Sequence, residues 1–176
     1  MSDNLVEASG RVLDAAVAAM GGVTREGQAS MVSEGAAALE DRTHLLVQAG
    51  TGTGKSLGYL VPLLTHCATR GVRGVVSTAT LALQRQILVR DAPVAIDAVA
   101  SVTGVRLKVA VLKGWQNYAC MHKLDGGYPA EGTLFEGRDL EAGPTGQLGG
   151  EIMRIREWIG ETESGDRDDL TPGVSD

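Results

Sequence analysis

The chain has 176 residues, 43% apolar but only 3% aromatic, enough for one domain whose core must be mostly Val, Leu and Ala. No apolar run approaches the roughly 20 residues that cross a bilayer. Met1-Ser2-Asp3-Asn4 lacks the basic start of a secretory leader, and Cys67 and Cys120 give no disulfide framework. These features argue against a membrane or disulfide-stapled module and lead us to expect a cytoplasmic protein. The net charge of −6 is unevenly spread: −5 over residues 1–41, +8 over 42–123 and −9 over 124–176. The basic middle suits polyphosphates, nucleic acid or both, despite the acidic total.

In chain order, Leu5, Val12, Leu13, Ala16, Val17 and Met20 recur at helical spacing over residues 4–20, and Gly21-Gly22 supplies the stop. Thr24 is the expected N-cap of a second helix to about Glu40, with Ala29, Val32, Ala36 and Leu39 on one face. Leu45-Leu46-Val47 reads as a short buried strand. It leads into the glycine-rich turn Ala49-Gly50-Thr51-Gly52-Thr53-Gly54-Lys55-Ser56 and a helix to about Arg70. Pro62 lies too deep in that helix to be an N1 proline, so a kink or a freed carbonyl is expected. Gly74-Val75-Val76-Ser77-Thr78 is the next predicted strand. Thr80 then caps a helix from Leu81 to Val89, Pro93 follows its end, and a weakly helical run covers 94–100. Residues 106–112 alternate charged and apolar side chains before turning fully apolar, as a strand entering a buried sheet would. The predicted fold class is therefore α/β: a P-loop nucleotide-binding domain whose parallel sheet is joined by crossover helices.

Beyond Leu124 the pattern breaks. Residues 126–150 hold eight glycines with Pro129 and Pro144, which predicts a long loop. A helix is expected at about 151–159, its Ile152, Ile155, Trp158 and Ile159 face without an evident partner, followed by an acidic tail that ends in a turn at 171–176.

The glycine-rich turn carries the clearest chemistry. Its glycines let successive backbone N–H groups turn inward as an anion nest, and the following helix N-terminus adds unpaired donors and positive potential. Gly50, Thr51, Gly52, Thr53 and Gly54 form the cradle. Lys55 would reach the β- and γ-phosphates, and the Ser56 hydroxyl would ligate Mg²⁺. The strict pattern begins with glycine, where this loop has the equally small Ala49. Hydrolysis also needs acids that hold the metal and activate water. The only acidic pair near an apolar run is Glu40-Asp41, which ends a helix before the loop, and no later apolar strand finishes in Asp-Glu.

Four segments fall in a recognisable order: Arg25-Glu26-Gly27-Gln28, the loop at 49–56, Ser77 to Gln84, and Lys113-Gly114-Trp115-Gln116-Asn117-Tyr118-Ala119-Cys120. With the tail Gly165-Asp166-Arg167-Asp168-Asp169-Leu170, they resemble the amino-terminal part of superfamily 2 DNA helicases of the DinG type, relatives of the XPD iron–sulfur helicases. The resemblance implies a RecA-like motor domain, incomplete here, over residues 1–112, and the start of an iron–sulfur insertion over 113–176. It implies ATP and Mg²⁺ as cofactors, with Arg25 and Gln28 at the adenine, and a DNA contact through Thr80, Leu81 and Gln84. Cys120 would be the first of four thiolates around a 4Fe–4S cluster, whose ligands are incomplete in this sequence. Trp115 departs from the arginine usual in these helicases.

The expected function is that of an amino-terminal fragment of an ATP-dependent DNA helicase, a monomer moving 5′ to 3′ on single-stranded or forked DNA. Alone it would bind ATP without hydrolysing it. The alternative is a non-catalytic ATP-binding P-loop module or remnant. A small P-loop kinase is disfavoured, because residues 126–150 offer only Arg138 for an arginine-bearing lid.

Overall fold

The computed structural model describes residues 4–121 and 147–170. The chain divides into two compact units, one ending at Val111 and the other beginning at Leu112.

The first unit is built on helices α1 (Leu5–Ala19), α2 (Glu26–Asp41), α3 (Lys55–Arg70), α4 (Leu81–Gln86) and α5 (Ala92–Thr103). Helices α1, α2, α3 and α5 pack around a common core. Its centre is Val12, Leu13 and Ala16 of α1, Val32 of α2, Leu60 and Val61 of α3, and Ala95 and Val99 of α5. Among the described residues no aromatic ring is fully buried in it, in keeping with the low aromatic content. Burying a side chain such as Leu13 is worth about 2–3 kcal/mol. Close approach of α2 and α3 depends on small residues. A Cβ on Gly58 would lie 2.6 Å from Met31 Sδ, and one on Gly35 would lie 3.1 Å from Pro62 Cγ. Pro62 is thus a packing surface within α3, which continues to Arg70.

Helix starts show how local rules and tertiary contacts divide the work. Asn4 caps α1, accepting from the Val6 N–H at 2.9 Å. The Leu5 N–H donates instead to Glu40 Oε1 at 3.1 Å, across 35 residues. Thr24 does not cap α2: its hydroxyl donates to Asp14 Oδ1 at 2.8 Å, and Arg25 takes the cap position without a side-chain capping bond. Thr80 does cap α4, accepting from the Leu83 N–H at 3.2 Å.

The expected break near Pro93 is absent. A π turn over Ile87–Asp91 joins α4 directly to α5, with the Ala92 N–H reaching back to the Ile87 carbonyl. Proline lacks an N–H and its ring crowds the carbonyl four residues earlier. The wider turn lets the helix pass Pro93 where a regular one would stop.

The parallel sheet is the main departure from expectation. Residues 45–47, 74–78 and 106–112 contain no strand, and the described residues hold no β ladder, only one isolated antiparallel bridge, between Tyr118 and Asp166. Leu46 is 99% exposed, and Val75, Val109 and Leu112 are exposed too. A strand is stable only when its backbone N–H and C=O groups are paired along a ladder, and among the described residues no β ladder runs through these segments.

The second unit holds a 3₁₀ turn at Trp115–Asn117, helix α6 (Gln147–Glu161) and a second 3₁₀ turn at Arg167–Asp169. The predicted helix begins earlier than expected, inside the predicted loop. Ile155, Trp158 and Ile159 are half-buried. The rest of the predicted loop, 126–146, and the turn at 171–176 lie outside the described residues.

Candidate functional site

The glycine-rich loop closes on Gly54, the N-cap of α3, at φ +78°, with Gly52 at φ +79°. Both angles lie in the left-handed region that favours glycine. Protein donors hold the loop carbonyls. Lys55 Nζ donates to the Gly50 carbonyl at 2.6 Å and the Ala49 carbonyl at 3.2 Å. Thr53 Oγ1 donates to the Gly50 carbonyl at 3.0 Å. From α2, Gln28 Nε2 donates to the Gly54 carbonyl at 3.1 Å, and an Arg25 guanidinium nitrogen donates to the Gly52 carbonyl.

This pattern orients the nest. In a trans peptide the C=O and the following N–H point in opposite directions. Fixing the carbonyls of Ala49, Gly50, Gly52 and Gly54 therefore turns the N–H groups of Gly50, Thr51, Thr53 and Lys55 away from the donors that hold them. A Cβ at Gly50 or Gly52 would meet nothing within 4 Å, so the face of the loop is open. Four N–H groups and the α3 N-terminus are a donor set that fits a polyphosphate, and the exposed Lys55 ammonium would join it on leaving the Ala49 and Gly50 carbonyls. The half-buried Ser56 hydroxyl, in the first turn of α3, fits a hard cation's need for oxygen.

The structure brings Arg25 and Gln28, which the resemblance assigns to the adenine, onto the loop carbonyls. Gln28 is only 6% exposed. A Cβ on Gly54 would sit 2.3 Å from Gln28 Nε2, so the glycine also makes room for the brace. Thr80, Leu81 and Gln84 share the start of α4, Leu81 exposed and Gln84 half-buried. The Thr80 carbonyl also accepts from Thr78 Oγ1 at 3.1 Å.

In the second unit, Cys120 is exposed. Cys67, in the first unit, is buried in α3, and burial pushes its thiol pKa up, as suits an inert core cysteine. Among the described residues no group of three or more His, Cys, Asp or Glu side chains could hold a metal ion. One thiolate does not make a cluster site, so the described residues alone do not fit an iron–sulfur group.

The sequence reading missed a clasp around the motif that carries Cys120. Lys113 Nζ lies 2.5 Å from Asp166 Oδ2 and 2.7 Å from Asp168 Oδ2, with the Lys113 side chain 8% exposed. The Tyr118 hydroxyl accepts from the Lys113 N–H at 3.0 Å, and the Ala119 N–H donates to the Gly165 carbonyl at 2.8 Å. Burial works against the Lys113 charge, but hydrogen bonds to Asp166 and Asp168 outweigh it and raise the pKa. Burial likewise opposes ionisation of Asp166, yet the bond from Lys113 holds its carboxyl below the ordinary range. Two motifs singled out separately are thus one structure, and the signal was a lysine in an apolar setting opposite an acidic run.

A P-loop braced from an upstream helix places the first unit among nucleotide-binding proteins. The family described as DEAD/DEAH box helicase matches residues 25–124, and the chain belongs to it. Over its whole length it is 42% identical to the ATP-dependent helicase DinG of Mycobacterium tuberculosis, of which it spans 27%. It is 37% identical to the ATP-dependent DNA helicase YoaA of Escherichia coli, over 81% of this chain and 20% of that one. It is 30% identical to a Bacillus subtilis protein named 3′-5′ exonuclease DinG, over 81% of this chain and 14% of the relative. No solved structure matches the chain.

Proposed function

We propose that this chain is the nucleotide-binding part of an ATP-dependent DNA helicase of the DinG type. The observation that carries the proposal is the braced loop, in which Lys55, Arg25 and Gln28 hold the carbonyls and leave an N–H face for phosphates. Family membership supports ATP as the ligand. Lys55 would meet the β- and γ-phosphates, and Ser56 would supply one Mg²⁺ ligand, the ion contributing charge neutralisation. The central parallel sheet of a RecA-like motor would form from the segments at 45–47, 74–78 and 106–112 once each has a paired neighbour. Thr80, Leu81 and Gln84 would contact the sugar–phosphate backbone of single-stranded or forked DNA, since hydroxyls, amides and backbone N–H groups suit phosphate. The unit from Leu112 would open an iron–sulfur insertion in which Cys120 supplies one thiolate. The whole protein would be a cytoplasmic monomer moving 5′ to 3′.

Nucleotide titration of residues 1–176 tests the core of this reading. ATP binding with Mg²⁺ is expected, lost at least tenfold in Lys55→Ala, without turnover above background. Equal binding by wild type and Lys55→Ala would overturn the site. Turnover that Lys55→Ala abolishes would overturn the expectation that this part binds without cutting.

A further inference from the structure

Helix α4 has only six residues, and none of them is buried. Short helices are marginal on propensity alone and normally owe their place to a buried face. The main packing of α4 is against the π turn, where Ile87 and Asp91 are buried and Ile87 belongs to the core. The direction in which α4 leaves the core is therefore set at that turn. One side-chain bond spans it: Gln86 Nε2, on the last residue of α4, donates to Asp91 Oδ2 at 3.1 Å. The Asp91 side chain is 8% exposed, and its Oδ1 lies 3.4 Å from Arg90 Nε. Side chains three or four residues apart meet on an α-helix, but Gln86 and Asp91 are five apart. The widened turn brings them together, so their bond favours the π form over a regular turn.

We infer that the Gln86–Asp91 bond is a latch on the π turn, and that Gln86 is thereby a positioning residue for Thr80, Leu81 and Gln84. The positioning role rests on the DNA reading above; the latch does not. Tightening the turn to a regular one would take one residue out of it. Helix α4 would then rotate about its axis by roughly 100°, the step of one residue in an α-helix. The side chains assigned to DNA would swing away with it. Two features oppose that change. In a regular helix the Pro93 ring would crowd the carbonyl four residues earlier. The buried Asp91 carboxylate would also lose the Gln86 amide and keep only Arg90, whose side chain is 75% exposed. A buried acceptor stripped of its donor is costly, and more so when it is charged. Helix α4 thus has two available orientations, and one exposed amide decides between them.

Amide hydrogen exchange on residues 1–176 tests the latch without any ligand. Gln86→Met keeps the length and helix propensity of the side chain and removes the donor. The amides of Leu83 to Gln86 should exchange about tenfold faster, the low end for losing a bond to a charged group, while α1 and α3 keep wild-type protection. Gln86→Lys supplies a donor again and should restore the protection, whereas Gln86→Glu should not. Adding Asp91→Asn to Gln86→Met should loosen α4 no further. Unchanged α4 exchange in Gln86→Met overturns the latch. So does a loss shared by α1 and α3, or one that Gln86→Lys leaves in place. Binding of fluorescein-labelled oligothymidylate then tests the positioning role. Gln86→Met should bind it about fivefold more weakly, and a loosened α4 with wild-type DNA affinity overturns that role. Wild type that does not bind the oligonucleotide overturns the DNA reading itself, a different result, and the exchange data still decide the latch.

Discussion

Replacing Lys113 by methionine isolates the clasp, because the new side chain has similar length and no charge. Asp166 and Asp168 would then face each other without the ammonium that both bond. Removing one partner of a buried ion pair costs about 3–5 kcal/mol, since it strands a buried charge. The aspartates are not equally buried: Asp166 is 16% exposed but Asp168 is 41% exposed. Water screens the Asp168 contribution to roughly 0–1 kcal/mol. The Asp166 contribution dominates, and the expected loss is about 2–3 kcal/mol at pH 7. Both tryptophans, Trp115 and Trp158, lie in the second unit, so tryptophan fluorescence during urea unfolding reads that unit alone. The pH dependence carries a definite sign. Asp166 has a lowered folded pKa, so its contribution is present above the ordinary carboxylate range and is lost as pH falls through the folded value. Lys113 has a raised folded pKa, so its contribution is complete below the ordinary lysine range and is lost only as pH rises through the folded value. The gap between wild type and Lys113→Met should therefore be flat near neutrality and shrink below about pH 4. A loss under about 0.5 kcal/mol at pH 7, the range of an ordinary surface change, would refute the clasp, as would a gap that ignores acid.

Two further outcomes follow from the first unit and the cysteines. Gly54→Ala forces alanine into φ +78° and sets its Cβ 2.3 Å from Gln28 Nε2, so ATP affinity should fall more than tenfold, with partial recovery when Gln28→Ala is added. Isothermal titration checks this, and a Gly54→Ala protein with wild-type affinity would sink it. A thiol reagent followed by mass spectrometry should label exposed Cys120 at once and buried Cys67 only on unfolding, and equal rates would contradict the burial assigned to α3.

The helices were legible because periodicity, glycine stops and the Thr80 cap are local signals, written within a few residues of where they act. The phosphate loop was legible for the same reason. What stayed hidden depends on distance along the chain. Glu40 serves α1 across 35 residues, and Lys113 meets Asp166 across 53. Neither spacing has a periodic signature. The apolar β-branched runs at 74–78 and 106–112 illustrate a different gap: their composition states a preference for pairing but cannot supply the partner. Pro93 was a readable warning misjudged in kind, since a helix can widen by one residue as well as end.

Gln28 is the residue for which the resemblance and the observed contacts point to different roles. Resemblance assigns it to the adenine edge, where an amide that donates and accepts at once is useful. The structure has its Nε2 already donating to the Gly54 carbonyl, and buries the side chain behind the loop. A base reader and a loop brace make opposite predictions about which ligands feel its loss. If Gln28 reads the base, Gln28→Ala weakens ATP and leaves GTP and inorganic triphosphate as they were. If it braces, it acts on the phosphate cradle common to all three, because without it the Gly54 carbonyl keeps only its helix bond to the Gly58 N–H and the peptide plane that aims the Lys55 N–H is held less firmly. One lost hydrogen bond at a half-open site is worth about 1 kcal/mol, roughly a fivefold change in affinity. We expect that fivefold loss for ATP, GTP and triphosphate alike, measured by competition against a fluorescent nucleotide. A loss confined to ATP would return Gln28 to the adenine and leave Gly54 held by its helix bond to the Gly58 N–H alone.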